Sequence, residues 1–252
     1  MSKLRIIARV DIKNEYVIKG IHLEGLRKVG NPIELAKKYY ENGIDEIIFM
    51  DSVAAYYDRN SLSKIIKEAS KDVFIPITVG GGIRTLEDIQ QALSVGADKV
   101  AINTQAVQTP HFLQDAAQRF GSQCIVASIV AKKIDTNKYE VYTENAREAT
   151  GKDVLEWAKE VEALGVGEIM LTSIDKEGTK KGFDAELCKL ITQHVNLPII
   201  VSGGMKTSDD ILKLFQHTQV DAIATASTLH YNLEDIQSIK QNLQKHNIKV
   251  RV

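Results

Sequence analysis

Gly81-Gly82-Ile83-Arg84-Thr85-Leu86-Glu87-Asp88-Ile89 is answered in the second half of the chain by Gly203-Gly204-Met205-Lys206-Thr207-Ser208-Asp209-Asp210-Ile211. A short β-branched run precedes each stretch, Pro76-Ile77-Thr78-Val79 in one case and Pro198-Ile199-Ile200-Val201 in the other. A helical pattern follows each. Two further segments repeat in the same order. Gly43-Ile44-Asp45-Glu46-Ile47-Ile48 matches Gly165-Val166-Gly167-Glu168-Ile169-Met170, and Ala8-Arg9-Val10-Asp11-Ile12-Lys13 matches Ala127-Ser128-Ile129-Val130-Ala131-Lys132. An internal repeat of this kind means two copies of one supersecondary unit, neither able to cover its own sheet edges.

Working outward, strand-like runs alternate with helical patterns along the whole chain. The other strands read Ile6–Val10, Glu46–Met50, Lys99–Ile102, Ile125–Ile129, Glu168–Leu171 and Ala222–Ala224. Helical periodicity falls near Pro32–Glu41, Ser61–Ser70, Leu86–Leu93, Pro110–Arg119, Val154–Leu164, Glu186–His194, Asp209–Phe215 and Leu233–Gln244. Buried parallel strands joined by right-handed helical crossovers close on themselves when there are eight. The pattern therefore predicts an α/β fold, a (βα)8 or TIM barrel with an internal two-fold half-barrel repeat, as one domain over residues 1–252. An open doubly wound sheet is the competing architecture, and it lacks the two-fold.

Bulk properties agree with that reading. The 252 residues are 44% hydrophobic and 26% charged, with a formal net charge of -1. That balance gives no strongly basic face for nucleic acid or an anionic membrane, and no apolar run approaches the ~20 residues of a membrane span. A cytoplasmic protein is expected. Cys124 and Cys188 stand far apart in apolar segments and are read as buried free thiols.

Active sites of such barrels lie where the strands run out at their C-terminal ends. Gly81 and Gly82 end the third strand, and Asn103 and Thr104 the fourth; Gly203 and Gly204 end the seventh, and Ala226 and Ser227 the eighth. Glycine lets backbone N–H groups approach an anion, and a following helix N-terminus favours negative charge. Two symmetry-related cradles would suit a small substrate carrying a phosphate at each end, although the same glycines also serve tight turns alone. Asp11 closes the first strand as a candidate general acid or base. Lys19 falls in a long first loop, where it could hold a phosphate on closure. Asp51, Asp175 and Gly178 lie at comparable positions. At the opposite ends of the strands sit Arg5, Glu46, Lys99 and Glu168. Charges pointing into a barrel floor must pair, so a ring of alternating sign is expected there. No metal site, nucleophilic triad or dinucleotide fingerprint is visible, and no cofactor is expected.

The residues that carry these features resemble the cyclase subunit of imidazole glycerol phosphate synthase. The likeness runs through Arg5-Ile6-Ile7-Ala8 to Asp11, Lys19-Gly20, Leu26–Pro32, Gly43–Glu46 and Val79–Ile83. It continues through Gly96–Thr104, Phe120-Gly121-Ser122-Gln123, Gly167–Asp175 and Gly178-Thr179. That resemblance implies a glutaminase subunit docked on the N-terminal face, with Asp98 at the interface. It implies an ammonia gate formed by Arg5, Glu46, Lys99 and Glu168. At the other face a bis-phosphorylated ribulosyl aminoimidazole carboxamide would react with ammonia, be cleaved and close to an imidazole ring. Two aspartates, on the first and fifth strands, would serve as general acid and base.

Val130 stands where the second of those aspartates belongs, and the internal repeat independently pairs it with Asp11. An apolar side chain transfers no proton. Val53-Ala54 replaces Thr-Ala in the segment after Asp51, Glu177 replaces an aspartate, and Met205 replaces the third glycine of the second cradle. Three functions fit a kept gate with an altered mouth. The first is the cyclase of histidine biosynthesis. The second is a paralogous ammonia-accepting subunit of a glutamine-dependent amidotransferase for surface sugars. The third is a scaffold, impaired at Val130, that serves its glutaminase partner.

Overall fold

The structure is a computed structural model that describes residues 3–52 and 62–251; Val53, Ala54 and the expected helix start at Ser61 lie outside them. Twelve strands are described: β1 (Arg5–Lys13), β2 (Tyr16–Ile21), β3 (Glu24–Gly30), β4 (Glu46–Asp51), β5 (Ile77–Gly80), β6 (Lys99–Ile102), β7 (Ile125–Asp135), β8 (Lys138–Thr143), β9 (Glu148–Asp153), β10 (Glu168–Ser173), β11 (Ile199–Ser202) and β12 (Ala222–Thr225). Eight of them pair in parallel in the order β10-β11-β12-β1-β4-β5-β6-β7, and β7 pairs with β10 to close the barrel. The expected barrel is therefore formed.

Alternation along these strands divides two apolar layers. Ile6, Ile47, Val79, Ile102, Ile169, Val201 and Ile223 belong to the large core between barrel and helices. Ile7, Ile48, Ala101, Val126, Met170, Ile200, Ala222 and Ala224 form a separate cluster inside the barrel. Successive side chains point to opposite faces of a strand, so one strand feeds both layers. No described helix is long and apolar enough to cross a membrane.

Helix starts repeat with the half-barrels. Asp88 accepts the N–H groups of Arg84 and Thr85, and Asp210 those of Lys206 and Thr207, so the same acidic cap opens the helix after each glycine turn. The helix Pro32–Glu41 starts on Asn31, whose side chain accepts from Ile33 and Glu34 N–H, with Pro32 at the first turn. Such a cap contributes about 1 kcal/mol, and the helix it starts carries Tyr39 inward to the barrel mouth.

Two excursions were not expected from the sequence. β1 runs on past the barrel to pair antiparallel with β2, which pairs with β3. β7 does the same with β8 and β9. Lys19, read as part of a long loop, is thus on a strand and only 4% exposed. The physical reason lies in the turns. His22 and Leu23 take φ values of 52° and 63°, and Glu144, Asn145 and Ala146 values of 49°, 54° and 68°. These are hairpin turns made without the Asn-Gly or Asp-Gly pair that would advertise them. One thiol expectation is also corrected. Cys188 is buried, but Cys124 sits on the short 3-10 turn Ser122–Cys124 and is half-buried.

Candidate active site and charged floor

Below the inner apolar cluster the four floor charges meet as a closed cycle. Arg5 donates to Glu46 at 2.9 Å and to Glu168. Lys99 donates to Glu168 at 3.0 Å and to Glu46 at 3.4 Å. Burial works against the Arg5 charge, but Glu168 and Glu46 outweigh it and hold the guanidinium above its usual pKa. Each ion has at least two partners of opposite sign, which is what makes a buried charge set affordable. Asp98 is tied up differently. It is exposed, and its carboxylate accepts the Ile77 N–H at 2.8 Å, as its repeat partner Asp221 accepts the Ile199 N–H at 3.0 Å.

At the other end, inward-facing residues of the upper strands build the mouth. Arg9 stands one inward position above Ile7 on β1, with Asp11 the next. Its Nε donates to Asp11 at 2.9 Å, and its Nη1 donates to the hydroxyls of Thr172 (3.2 Å) and Ser202 (3.1 Å). Lys19 reaches the other Asp11 oxygen at 3.4 Å and also donates to Glu177. Burial alone would raise the Asp11 pKa, but Arg9 and Lys19 overcome it and hold the carboxyl below the usual range. Asp11 is an anion locked between two cations, and in this state it is a poor proton donor.

The two glycine turns keep matching geometry. Gly81 and Gly82 have φ of 90° and 73°, and Gly203 and Gly204 of 101° and 102°. A Cβ on Gly81 would run into the Asp51 carbonyl oxygen, and one on Gly204 into that of Gly182, so only glycine fits. Asn103 and Ala226 occupy equivalent places ahead of the short helices Thr104–Gln108 and Ser227–His230. The surrounding space differs sharply. Gly81, Gly82, Asn103 and Thr104 open on a cavity of about 290 Å³ that reaches down to Arg9 and Val130. Gly203, Gly204, Ala226 and Ser227 surround about 10 Å³, closed by Met205 and the Lys19–Glu177 pair. Only one cradle is open.

Other candidates fall into place around these. Asp51 lines the large cavity, and Gly178 the small one. Asp175 turns away; its carboxylate accepts the Lys133 N–H at 2.9 Å and braces the outer part of β7. Asn103 donates its amide to the carbonyls of Ser128 and Tyr142, which anchors the second hairpin to the cavity wall. Val130 is 8% exposed and faces the cavity. Four participants escaped the sequence reading as site residues: Arg9, Glu177, His230 and Tyr39. Arg9 had a readable signal, since a charge inside an apolar strand with an aspartate two residues on shares one face with it.

His230 lies behind Asp11. Its Nδ1 is 2.7 Å from the Tyr39 hydroxyl, and its buried Nε2 has no hydrogen-bond partner among the described residues. Burial, with Lys19 adding to it, pushes its pKa down to about 4 from the ordinary 6.5. Between those two values the unfolded chain binds a proton that the folded chain refuses. The stabilisation is therefore complete above pH 6.5 and is lost as pH falls toward 4, a change of about 3 kcal/mol. Denaturant unfolding of His230→Gln across that range should show a flatter profile than the parent; an identical slope would remove His230 from this role.

Comparison with known proteins bears on what such a floor and mouth do together. Residues 5–235 match the family described as histidine biosynthesis protein. The imidazole glycerol phosphate synthase subunit HisF of Legionella pneumophila is 58% identical over 205 residues, covering 81% of this chain and 97% of the relative. That of Lactococcus lactis subsp. lactis (strain IL1403) is 45% identical, covering 100% of this chain and 98% of the relative. That of Bacillus cereus (strain G9842) is 44% identical with both chains covered in full. With the barrel closed, the floor ring formed and these likenesses running end to end, this chain belongs to the histidine biosynthesis protein family, among the HisF subunits of imidazole glycerol phosphate synthase.

Proposed function

We propose that this chain is the cyclase subunit of an imidazole glycerol phosphate synthase. It receives ammonia through its floor and uses it at its mouth on a bis-phosphorylated ribulosyl aminoimidazole carboxamide, giving imidazole glycerol phosphate and an aminoimidazole carboxamide ribonucleotide. The observation that carries this reading is the four-membered ring of Arg5, Glu46, Lys99 and Glu168 beneath an apolar interior. A ring of fixed charge repels nothing neutral, whereas an ammonium ion would have to shed its water to enter the apolar layer above. The floor thus favours passage of ammonia itself. A glutaminase subunit would dock on this N-terminal face, where exposed Asp98 lies beside Lys99, and release ammonia against the ring.

At the mouth the open cradle of Gly81, Gly82, Asn103 and Thr104 takes one phosphate. The second phosphate meets Gly203, Gly204, Ala226, Ser227 and Lys19, and must displace Glu177 from Lys19 to do so. Glu177→Gln removes that competing charge and should lower the KM for the bis-phosphate roughly tenfold, measured with ammonium in excess. A raised KM would mean that Glu177 binds substrate.

A second reading is favoured by a specific set of observations: Val130 in place of an acid or base, and a nearly closed second cradle. Under it the chain hands ammonia to an acceptor with one phosphate or none, as an amidotransferase subunit for surface sugars. Ammonium-dependent conversion of the ribulosyl bis-phosphate by the purified protein separates the two. Formation of imidazole glycerol phosphate supports the first, and its absence with a folded protein supports the second.

A further inference from the structure

Arg9 is 4% exposed, and a guanidinium so deep is strongly disfavoured unless its N–H groups are used. Its Nε and Nη1 are spent on Asp11, Thr172 and Ser202, whereas Nη2 has no hydrogen-bond partner among the described residues. That nitrogen is not among the sealed, unpartnered polar atoms of the described residues, so it meets the open space of the cavity that Arg9 lines. Neutralising Asp11 does not explain the leftover group, because Lys19 already faces that carboxylate. The side chain does, however, line the floor of the 290 Å³ cavity, beside Ser128, Val130 and Thr172. It stands directly above the inner apolar cluster, where anything rising through the barrel emerges.

We propose that Arg9 anchors the ammonia acceptor by its reacting oxygen: the unpartnered Nη2 donates to the carbonyl oxygen of an open-chain sugar phosphate whose phosphate sits in the Gly81–Gly82 cradle. This rests on the reading of the barrel as a conduit for ammonia. The ammonia lone pair forms the new C–N bond as the carbonyl π pair moves onto oxygen. That oxygen gathers negative charge against the guanidinium, which is fixed in advance by Asp11, Thr172 and Ser202. A proton then passes from nitrogen to oxygen, and loss of water leaves an imine. Arg9 thereby supplies electrophilic assistance at a mouth where Val130 supplies no proton transfer. A guanidinium is suited to this, since its planar fork holds three protein oxygens and leaves an edge for the substrate.

The test compares the full-length protein with Arg9→Lys, which keeps a cation beside Asp11 but loses the fork. Turnover of the ribulosyl bis-phosphate is measured at saturating ammonium. In parallel the same compound is titrated against parent protein labelled with 15N-arginine, the Arg9 guanidinium signal being assigned by its loss in Arg9→Lys. The expected result is a kcat lowered about 10²–10³-fold, a KM within threefold, and a shift of the Arg9 signal on binding. Parent turnover with Arg9→Lys within threefold of it overturns the proposal and leaves the cyclase reading intact. No parent turnover with a shifted Arg9 signal overturns the cyclase reading and supports the anchor. No turnover and no shift overturns both. Should Arg9→Lys fail to fold, the Arg9 signal is assigned in the parent by its Overhauser contacts with Thr172 and decides: a shift supports the anchor, and an unmoved signal on a bound compound rejects it.

Discussion

Val130→Asp is expected to raise ammonium-dependent turnover by about 10²–10⁴-fold, the usual worth of one general acid or base. The position is the repeat partner of Asp11, and its backbone pairs with Thr172 on β10 and Tyr142 on β8, so it is held on both sides. The side chain faces the same cavity as Arg9 and the open cradle. Asp11 cannot make up the loss. Burial would raise its pKa, but Arg9 and Lys19 stabilise the ionised form and hold it below the usual carboxylate range. An aspartate at 130 would face the cavity and reach proton positions that Asp11 does not serve. The measurement is kcat at saturating ammonium, beside thermal unfolding to establish that the variant folds. An unchanged kcat in a folded variant would show that the slow step needs no carboxylate there.

Arg5→Met is expected to cost about 3–5 kcal/mol of stability, because it leaves two buried carboxylates to share Lys99. For a chain of this length that corresponds to a fall in Tm of roughly 10 °C. Arg251, 3.9 Å from Glu46 but half-exposed, offers weak compensation. The double variant Arg5→Met, Glu46→Gln leaves one neutral pair, Lys99 with Glu168 at 3.0 Å, and should recover most of the loss. Calorimetric unfolding of the two variants checks this. A single variant as stable as the parent would mean that water, not Arg5, solvates the glutamates.

The barrel and its floor were legible in the sequence for definite reasons. The alternation of Ile6–Val10, Glu46–Met50 and their successors with helices leaves few ways to close a sheet, and the matched Gly81 and Gly203 segments fix the two-fold. The floor ring could be anticipated because Arg5, Glu46, Lys99 and Glu168 each begin a strand, so they share one end of the barrel, and charges aimed into it must pair. The mouth was less legible. The hairpins were missed because their turns use His22-Leu23 and Glu144-Asn145-Ala146 in conformations that glycine or Asn-Gly normally marks. The closure of the second cradle depends on Lys19 meeting Glu177, a contact between residues on separate elements far apart in the chain. Sequence displayed only a glutamate for an aspartate. Arg9 was visible merely as one member of a repeat, paired with Ser128, and its role emerges from where three strands bring Thr172, Ser202 and Asp11.

A two-fold mouth with two equal cradles would have an ambiguity built into it. A molecule with a phosphate at each end could lie across it either way round, and half of all arrivals would present the wrong carbon to the ammonia outlet. One roomy cradle and one filled by Met205, Lys19 and Glu177 make the two sides of the mouth unequal. On the proposed two-phosphate reading, the first end to settle would take the open cradle, and the second would arrive only by prising Glu177 from Lys19. Breaking the duplicated symmetry would thus impose an order of filling, one cradle before the other, on a mouth that began as two equal halves.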